Sequence, residues 1–259
     1  MSEVSAPSRP RTRRSAPAPA LARPSGWRGG VTGRGVGRDL VTVLILTGLL
    51  LLVDAGLTLV WQEPVSALYT TIRQSQLTSQ LDALEREAPS QLEVTALGHL
   101  HTTGSRIAFL ARELEHTAPD GAAIGRIHIP RIGADFVLIK GTSVGDLREG
   151  PGIYPQTSFP GAAGTTAIAG HRTTYLAPFR HIDQLRRGDT VTVDMPYGRF
   201  VYSVIGQEVV KPTDIAVIRP IGYSRLVLSA CTPLYSAADR LIVFARLVRI
   251  DPLGPARTI

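Results

Sequence analysis

Twenty-one consecutive residues, Leu40 to Val60, carry a single charged side chain, Asp54. At about 1.5 Å per residue this run reaches about 30 Å, the thickness of a bilayer's hydrocarbon core, and it predicts a membrane-spanning helix over residues 39–61. The spacing then turns helical and polar. Leu68, Ile72, Leu77, Leu81 and Leu84 recur at intervals of three to five among Gln, Ser, Glu and Arg. After Pro89 a second helical run, Gly104 to Glu115, puts Ile107, Leu110 and Leu114 on one face, and Pro119-Asp120-Gly121 ends it. From Ile124 the pattern becomes that of short strands between Gly/Pro turns: Ile124–Ile129, Phe136–Lys140, Thr165–Ala169, Thr190–Asp194, Phe200–Val210, Arg225–Cys231 and Leu241–Ile250. Even spacing, with only short helical stretches such as Ala177–Leu185, predicts a mainly β, antiparallel sandwich or barrel.

Five segments follow: a basic tail (1–38), a membrane helix (39–61), a helical stalk or linker (62–123), a β-rich domain (124–250) and a C-terminal tail (251–259). The formal charge of +7 invites a nucleic-acid reading, but its distribution argues otherwise. Residues 1–39 hold eight arginines and two acids, leaving 20 basic and 19 acidic side chains for the rest of the chain. The basicity therefore belongs to a Pro/Ala/Ser/Gly-rich tail that cannot bury apolar surface and is expected to be disordered, and no nucleic-acid partner is expected. Arg28, Arg34 and Arg38 before the apolar run place that tail in the cytoplasm and the C-terminal bulk outside. Val53-Asp54-Ala55 fits a signal-peptide cleavage pattern, yet the apolar run continues past it and the region before it is too long, so an uncleaved anchor is expected.

Cys231 is the chain's one cysteine, so no internal disulfide explains it. It ends a strand-like run and precedes Thr232-Pro233. His171 follows the small-residue strand Thr165–Ala169 and Gly170, and Arg240 opens the last strand. Strand ends sit at a sheet's rim, within reach of substrate and held by a rigid scaffold. A thiol needs a basic neighbour to become the attacking thiolate, and histidine supplies one that can also protonate a departing amine. Arginine offers a permanently charged fork for a developing oxyanion. Together the three suit acyl transfer. No Cys/His metal spacing and no phosphate-binding loop competes, so neither a metal nor a cofactor is expected; Gly33-x-Gly35-x-Gly37 reads as a linker before the apolar run.

The blocks Thr166-Ala167-Ile168-Ala169-Gly170-His171-Arg172-Thr173-Thr174-Tyr175, Leu226-Val227-Leu228-Ser229-Ala230-Cys231-Thr232-Pro233 and Ser236-Ala237-Ala238-Asp239-Arg240-Leu241-Ile242-Val243 resemble those of sortases, most closely the class E sortases of high-GC Gram-positive bacteria. The resemblance covers residues 124–250. It implies a closed β-barrel of about eight strands with short helices, and a membrane-anchored cysteine transpeptidase facing outward. Cys231 matches the nucleophile, His171 the general acid/base and Arg240 the oxyanion-stabilising arginine. The implied reaction cleaves a C-terminal sorting signal of the Leu-Ala-x-Thr-Gly or Leu-Pro-x-Thr-Gly type between Thr and Gly through an acyl-thioester. Implied partners are secreted proteins bearing that signal, a peptidoglycan precursor or pilin amine as acceptor, and the lipid bilayer. Tyr154, in Gly152-Ile153-Tyr154-Pro155, is a candidate for contacting the signal.

The family pattern Thr-Leu-x-Thr-Cys reads Val227-Leu228-Ser229-Ala230-Cys231 here. Ala230, lacking the hydroxyl, becomes a candidate substrate-binding position, and its loss motivates an alternative: a catalytically impaired, sortase-like peptide-binding module. Another cysteine enzyme of the cell wall, the L,D-transpeptidase with its Ser-x-Gly-Cys motif, is not matched by Ser229-Ala230-Cys231.

Overall fold

A computed structural model describes residues 33–61 and 64–257. Most of the expected disordered tail, 1–38, lies outside the described residues, and its described end is already helical. Helix α1 spans Gly33–Trp61, and its stretch Gly37–Gly56 is long and apolar enough to cross a membrane. Its large apolar side chains are exposed, Leu50 and Leu52 by 72% and 71%.

Eight strands close into a barrel: β1 (Ala123–Ile129), β2 (Ala134–Lys140), β3 (Gly152–Ile153), β4 (Thr165–Ala169), β5 (Thr190–Met195), β6 (Gly198–Val210), β7 (Arg225–Thr232) and β8 (Asp239–Pro252). Their order around the barrel is β1-β2-β3-β4-β7-β8-β6-β5, and β5 pairs with β1 to close it. Strict alternation builds the wall: in β5, Val191, Val193 and Met195 are buried while Thr190, Thr192 and Asp194 turn outward. The interior is filled by Ile127, Leu138, Ile168, Phe200, Tyr202, Leu226, Leu228 and Val243 among others.

The expected all-antiparallel sheet is corrected at two places. Strands β2 and β3 pair in parallel, as do β4 and β7. In each case the chain crosses over before returning, through helix α5 (Val144–Glu149) or through the β5–β6 hairpin, and alternation along one strand carries no record of its partner's direction. The helix expected over Ala177–Leu185 is absent: Ala177 has φ of 42°, Pro178 follows, and only Ile182–Gln184 makes a 3-10 turn. Strand β8 continues past Ile250 to Pro252, and a further turn, Gly254–Ala256, buries Ala256 in the core.

Three more helices precede the barrel domain's first strand. Helix α2 (Pro64–Arg86) packs on β1 and β2 through Leu77 and Leu81, which meet Ala123, Val137 and Ile139. Leu68 and Ile72, grouped with these by spacing, face solvent instead. The buried stripe at this end begins with Thr70. Gln74 acts as a surrogate strand partner for Val137, accepting its N–H at 2.8 Å and donating to its carbonyl at 3.3 Å. Helix α3 (Gln91–Gly98) starts at a capping box of Ser90 and Glu93, and α4 (Thr103–Thr117) at one of Thr102 and Ser105. Ile107, Leu110 and Ala111 of α4 join the main core.

Candidate active site

The register of β4 on β7 is constant: Thr165 faces Arg225, Ala167 faces Val227 and Ala169 faces Ser229, an offset of 60 residues throughout. The pairing ends there, and His171 lies two residues past the end of β4, in the loop that follows. Two hydrogen bonds beyond the last pair hold this loop against the end of β7. Gly170 N–H donates to Ser229 O at 3.0 Å, and Arg172 Nη1 donates to Thr232 Oγ1 at 3.1 Å. On the other flank, antiparallel pairing sets Cys231 opposite Arg240. His171, from the loop just past β4, Cys231 and Arg240 thus come from neighbouring strand ends in one row along the barrel rim, with Cys231 and Arg240 directly paired. The structure places the three residues singled out by sequence at this one rim.

The row ends a lane on the barrel's outer surface. Because side chains alternate, β7 presents Val227, Ser229 and Cys231 on this face. Ala167, Val227 and Ile242 form its buried floor, with Tyr154, Val210, Val217, Ile218 and Phe244 packed around them. Tyr154 donates its hydroxyl hydrogen to Ser229 Oγ at 3.4 Å, which puts this residue beside the lane. One wall is the 3-10 turn Ile215–Ile218. Arg225 secures it, donating from Nη2 to the carbonyls of Val217 (2.7 Å) and Arg219 (2.9 Å) while stacked 5.0 Å from the Phe244 ring.

Ala230 requires correction. It is 2% exposed and belongs to the barrel interior with Leu228 and Leu241, so it does not face the lane. A residue adjacent to Cys231 in a strand points to the opposite face. The hydroxyl on the cysteine's own face is that of Ser229.

Cys231 is half-buried and free. Burial, and secondarily the charge of Arg148, hold the His171 imidazole below its usual pKa. A neutral ring near neutrality is the form able to accept a proton. Arg240 donates from Nη1 to the carbonyls of Ala237 (3.0 Å) and Asp239 (3.1 Å), which ties the guanidinium to its own turn, and among the described residues Nε and Nη2 make no hydrogen bond. The adjacent carboxylate of Asp239 is taken by Lys211 at 2.6 Å, so it does not quench Arg240.

The loop carrying His171 is strained and tightly held. Tyr175, Leu176 and Ala177 have φ of 53°, 60° and 42°, three successive non-glycine residues in the left-handed region. Each costs about 1–2 kcal/mol. Offsetting bonds include Phe179 N–H to His171 O at 3.0 Å and Ala177 N–H to Thr174 O at 2.8 Å. Gly170 is required because the Phe179 ring lies against it: a Cβ there would meet Cδ2 at 2.6 Å.

Sequence reasoning missed Arg172. It is 5% exposed and binds Asp183 at 2.8 Å, the Arg180 carbonyl at 3.3 Å and Thr232 at 3.1 Å. It follows His171 as Thr232 follows Cys231, so one guanidinium ties the two strand ends together. Its position beside His171 was visible in the sequence; its partner 60 residues away was not.

Residues 127–248 match the family model for the sortase domain. Among curated proteins the chain is similar to sortase D of Bacillus subtilis, 30% identical over 132 residues, covering 49% of this chain and 65% of that protein. The match thus spans less than two thirds of that relative. Among solved structures, sortase E from Streptomyces avermitilis is 31% identical, with 54% of this chain and 99% of that one covered at a TM-score of 0.48. The SrtF sortase from Corynebacterium diphtheriae is 26% identical, with 55% and 93% covered at a TM-score of 0.51, so it shares the barrel as well as sequence. By the family-model match and the closed eight-stranded barrel that carries it, residues 127–248 of this chain form a sortase domain.

Proposed function

We propose that this chain is a membrane-anchored cysteine transpeptidase that joins a protein's C-terminal sorting signal to an amine. What supports the reading is that Cys231 is paired opposite Arg240 at the end of an apolar lane, with His171 in the loop just past the neighbouring strand β4. His171 takes the proton of the Cys231 thiol, and the resulting thiolate attacks the carbonyl carbon of threonine in a Leu-Ala-x-Thr-Gly or Leu-Pro-x-Thr-Gly segment lying in the lane. A C–S bond forms, and the developing oxyanion meets the free donors of Arg240. The Thr–Gly C–N bond then breaks, with His171 giving its proton to the departing glycine nitrogen. An acceptor amine attacks the thioester and passes its proton to His171, and the thiolate is released. A peptidoglycan precursor or a pilin amine fits this second role. The N-terminal apolar helix serves as the anchor, with residues 1–38 cytoplasmic and the barrel outside.

The alternative is a peptide-binding module without turnover; Ala230, whose missing hydroxyl motivated it, is an interior residue, which takes away its main support. The test is to incubate the full chain in detergent with a Leu-Ala-x-Thr-Gly peptide and an amine. Expected is a new amide on threonine, and none with Cys231→Ala; product from the alanine variant would contradict the assignment.

A further inference from the structure

Two residues that the proposed chemistry leaves unused extend the row beyond His171. The Tyr175 ring lies 5.1 Å from the imidazole, centroid to centroid, and the Arg148 guanidinium lies 5.9 Å from the Tyr175 centroid. Arg148 belongs to α5, which links β2 to β3 and so stands on the β4 side of the row, while Arg240 stands at its β8 end. Helix α2 holds the backbone at both residues: Tyr175 N–H donates to Ser66 Oγ at 3.3 Å, and Thr70 Oγ1 donates to the Arg148 carbonyl at 3.0 Å. The adjacent acid, Glu149, is engaged by Arg73. Arg148 is exposed, and among the described residues no carboxylate forms an ion pair with it. An exposed cation with no carboxylate paired to it among the described residues therefore stands over the Tyr175 ring, next to the proposed base His171.

We propose that Arg148, braced by Tyr175, receives a carboxylate of the acceptor, so that the second substrate is an anionic amine rather than a simple one. A guanidinium matches a carboxylate with two parallel donors. The two spans, 5.1 and 5.9 Å, bound the reach from imidazole to guanidinium, and about three residues of extended chain cover it at about 3.3–3.6 Å each. The acceptor is thus an amino acid or short peptide with its carboxylate within about three residues of the attacking nitrogen. In the step concerned, the nitrogen attacks the thioester carbonyl carbon, the C–N bond forms as the C–S bond breaks, and the amine proton travels through His171 to the Cys231 thiolate. This assignment rests on the transpeptidase reading above.

The experiment measures, with the full chain in detergent, the ratio of amide product to hydrolysis product when Gly-Gly and Gly-Gly-Gly compete against their C-terminal amides. The free acids are expected to be favoured roughly two- to fivefold at low salt, the size appropriate to an exposed ion pair, and the preference should fade near about 0.5 M salt. Arg148→Gln should abolish the preference and Arg148→Lys should keep part of it. Equal partition of acids and amides in the unmodified chain, or a preference that survives Arg148→Gln, overturns the assignment to Arg148 while leaving the transpeptidase reading intact. Absence of any peptide cleavage overturns both.

Discussion

At position 240 a lysine keeps the charge and loses the fork. Arg240 already spends Nη1 on two carbonyls of its own turn, so its remaining donors are positioned by that anchorage, and an ammonium cannot both hold the turn and face an oxyanion. Arg240→Lys should lower kcat/KM about 10²-fold, near the scale of losing one oxyanion donor. Activity within about threefold of the unmodified chain would contradict the role. His171 makes a second prediction. Its pKa lies below the ordinary 6.5, through burial first and the Arg148 charge second. The folded ring therefore stays neutral where an unfolded one would take up a proton. The stability this contributes is complete above 6.5 and is lost as pH falls through the folded value. A proton NMR titration of the ring should give a midpoint under 6.5, moving upward in Arg148→Gln; a midpoint at or above 6.5 would contradict the burial argument. At this scale the sequence disclosed the residues with chemical capacity and not those that act by placement. Arg172 and Arg148 look like ordinary surface arginines until their partners at 232 and 175 are known.

At the scale of elements, the site is a consequence of two adjoining registers. The parallel pairing of β4 with β7 sets the end of β4, two residues before His171, beside the end of β7, and the antiparallel pairing of β7 with β8 aligns Cys231 with Arg240. The bond from Arg172 to Thr232 closes the first alignment one step beyond the reacting pair. Thr232→Val removes that bond and leaves the strand otherwise unchanged in shape. It should reduce kcat about tenfold, the effect of one hydrogen bond to a charged group, with KM changed by less than about twofold. A rise in KM with kcat preserved would show that the bond serves binding and not alignment. Seven of the eight strands were legible from alternation and turn residues; β3, at two residues, is too short to carry a period. Strand direction was not legible, since the partner of β4 follows the intervening β5–β6 hairpin. Nor was the loop after His171, where helical composition over Ala177–Leu185 yields to three left-handed residues held by tertiary bonds. The face of Ala230 was legible in principle, because a two-residue period separates it from Cys231, and its assignment to substrate contact overlooked that parity.

For the molecule as a whole, the apolar helix and the barrel read out of different signals. The first comes from unbroken hydrophobicity over Gly37–Gly56, the second from alternation. If α1 spans the bilayer, the chain should stay with membranes through alkaline carbonate washing, and Leu50→Arg, costing about 2.5–3.5 kcal/mol of insertion, should release a large fraction of it. Complete extraction of the unmodified chain would contradict anchoring. Charge offered less: the net +7 sits almost wholly before residue 40 and says nothing of the barrel's substrates. The claim that everything else serves is that Cys231 carries an acyl group delivered from a sorting signal. The direct test is the intact mass of the full chain after brief exposure to a Leu-Ala-x-Thr-Gly peptide without acceptor, followed by mapping of the modified fragment. An added mass equal to the peptide up to threonine, located on Cys231 and removed by hydroxylamine, is the expected result. An unmodified chain whose peptide is nonetheless cut, or an adduct on any other residue, would contradict it.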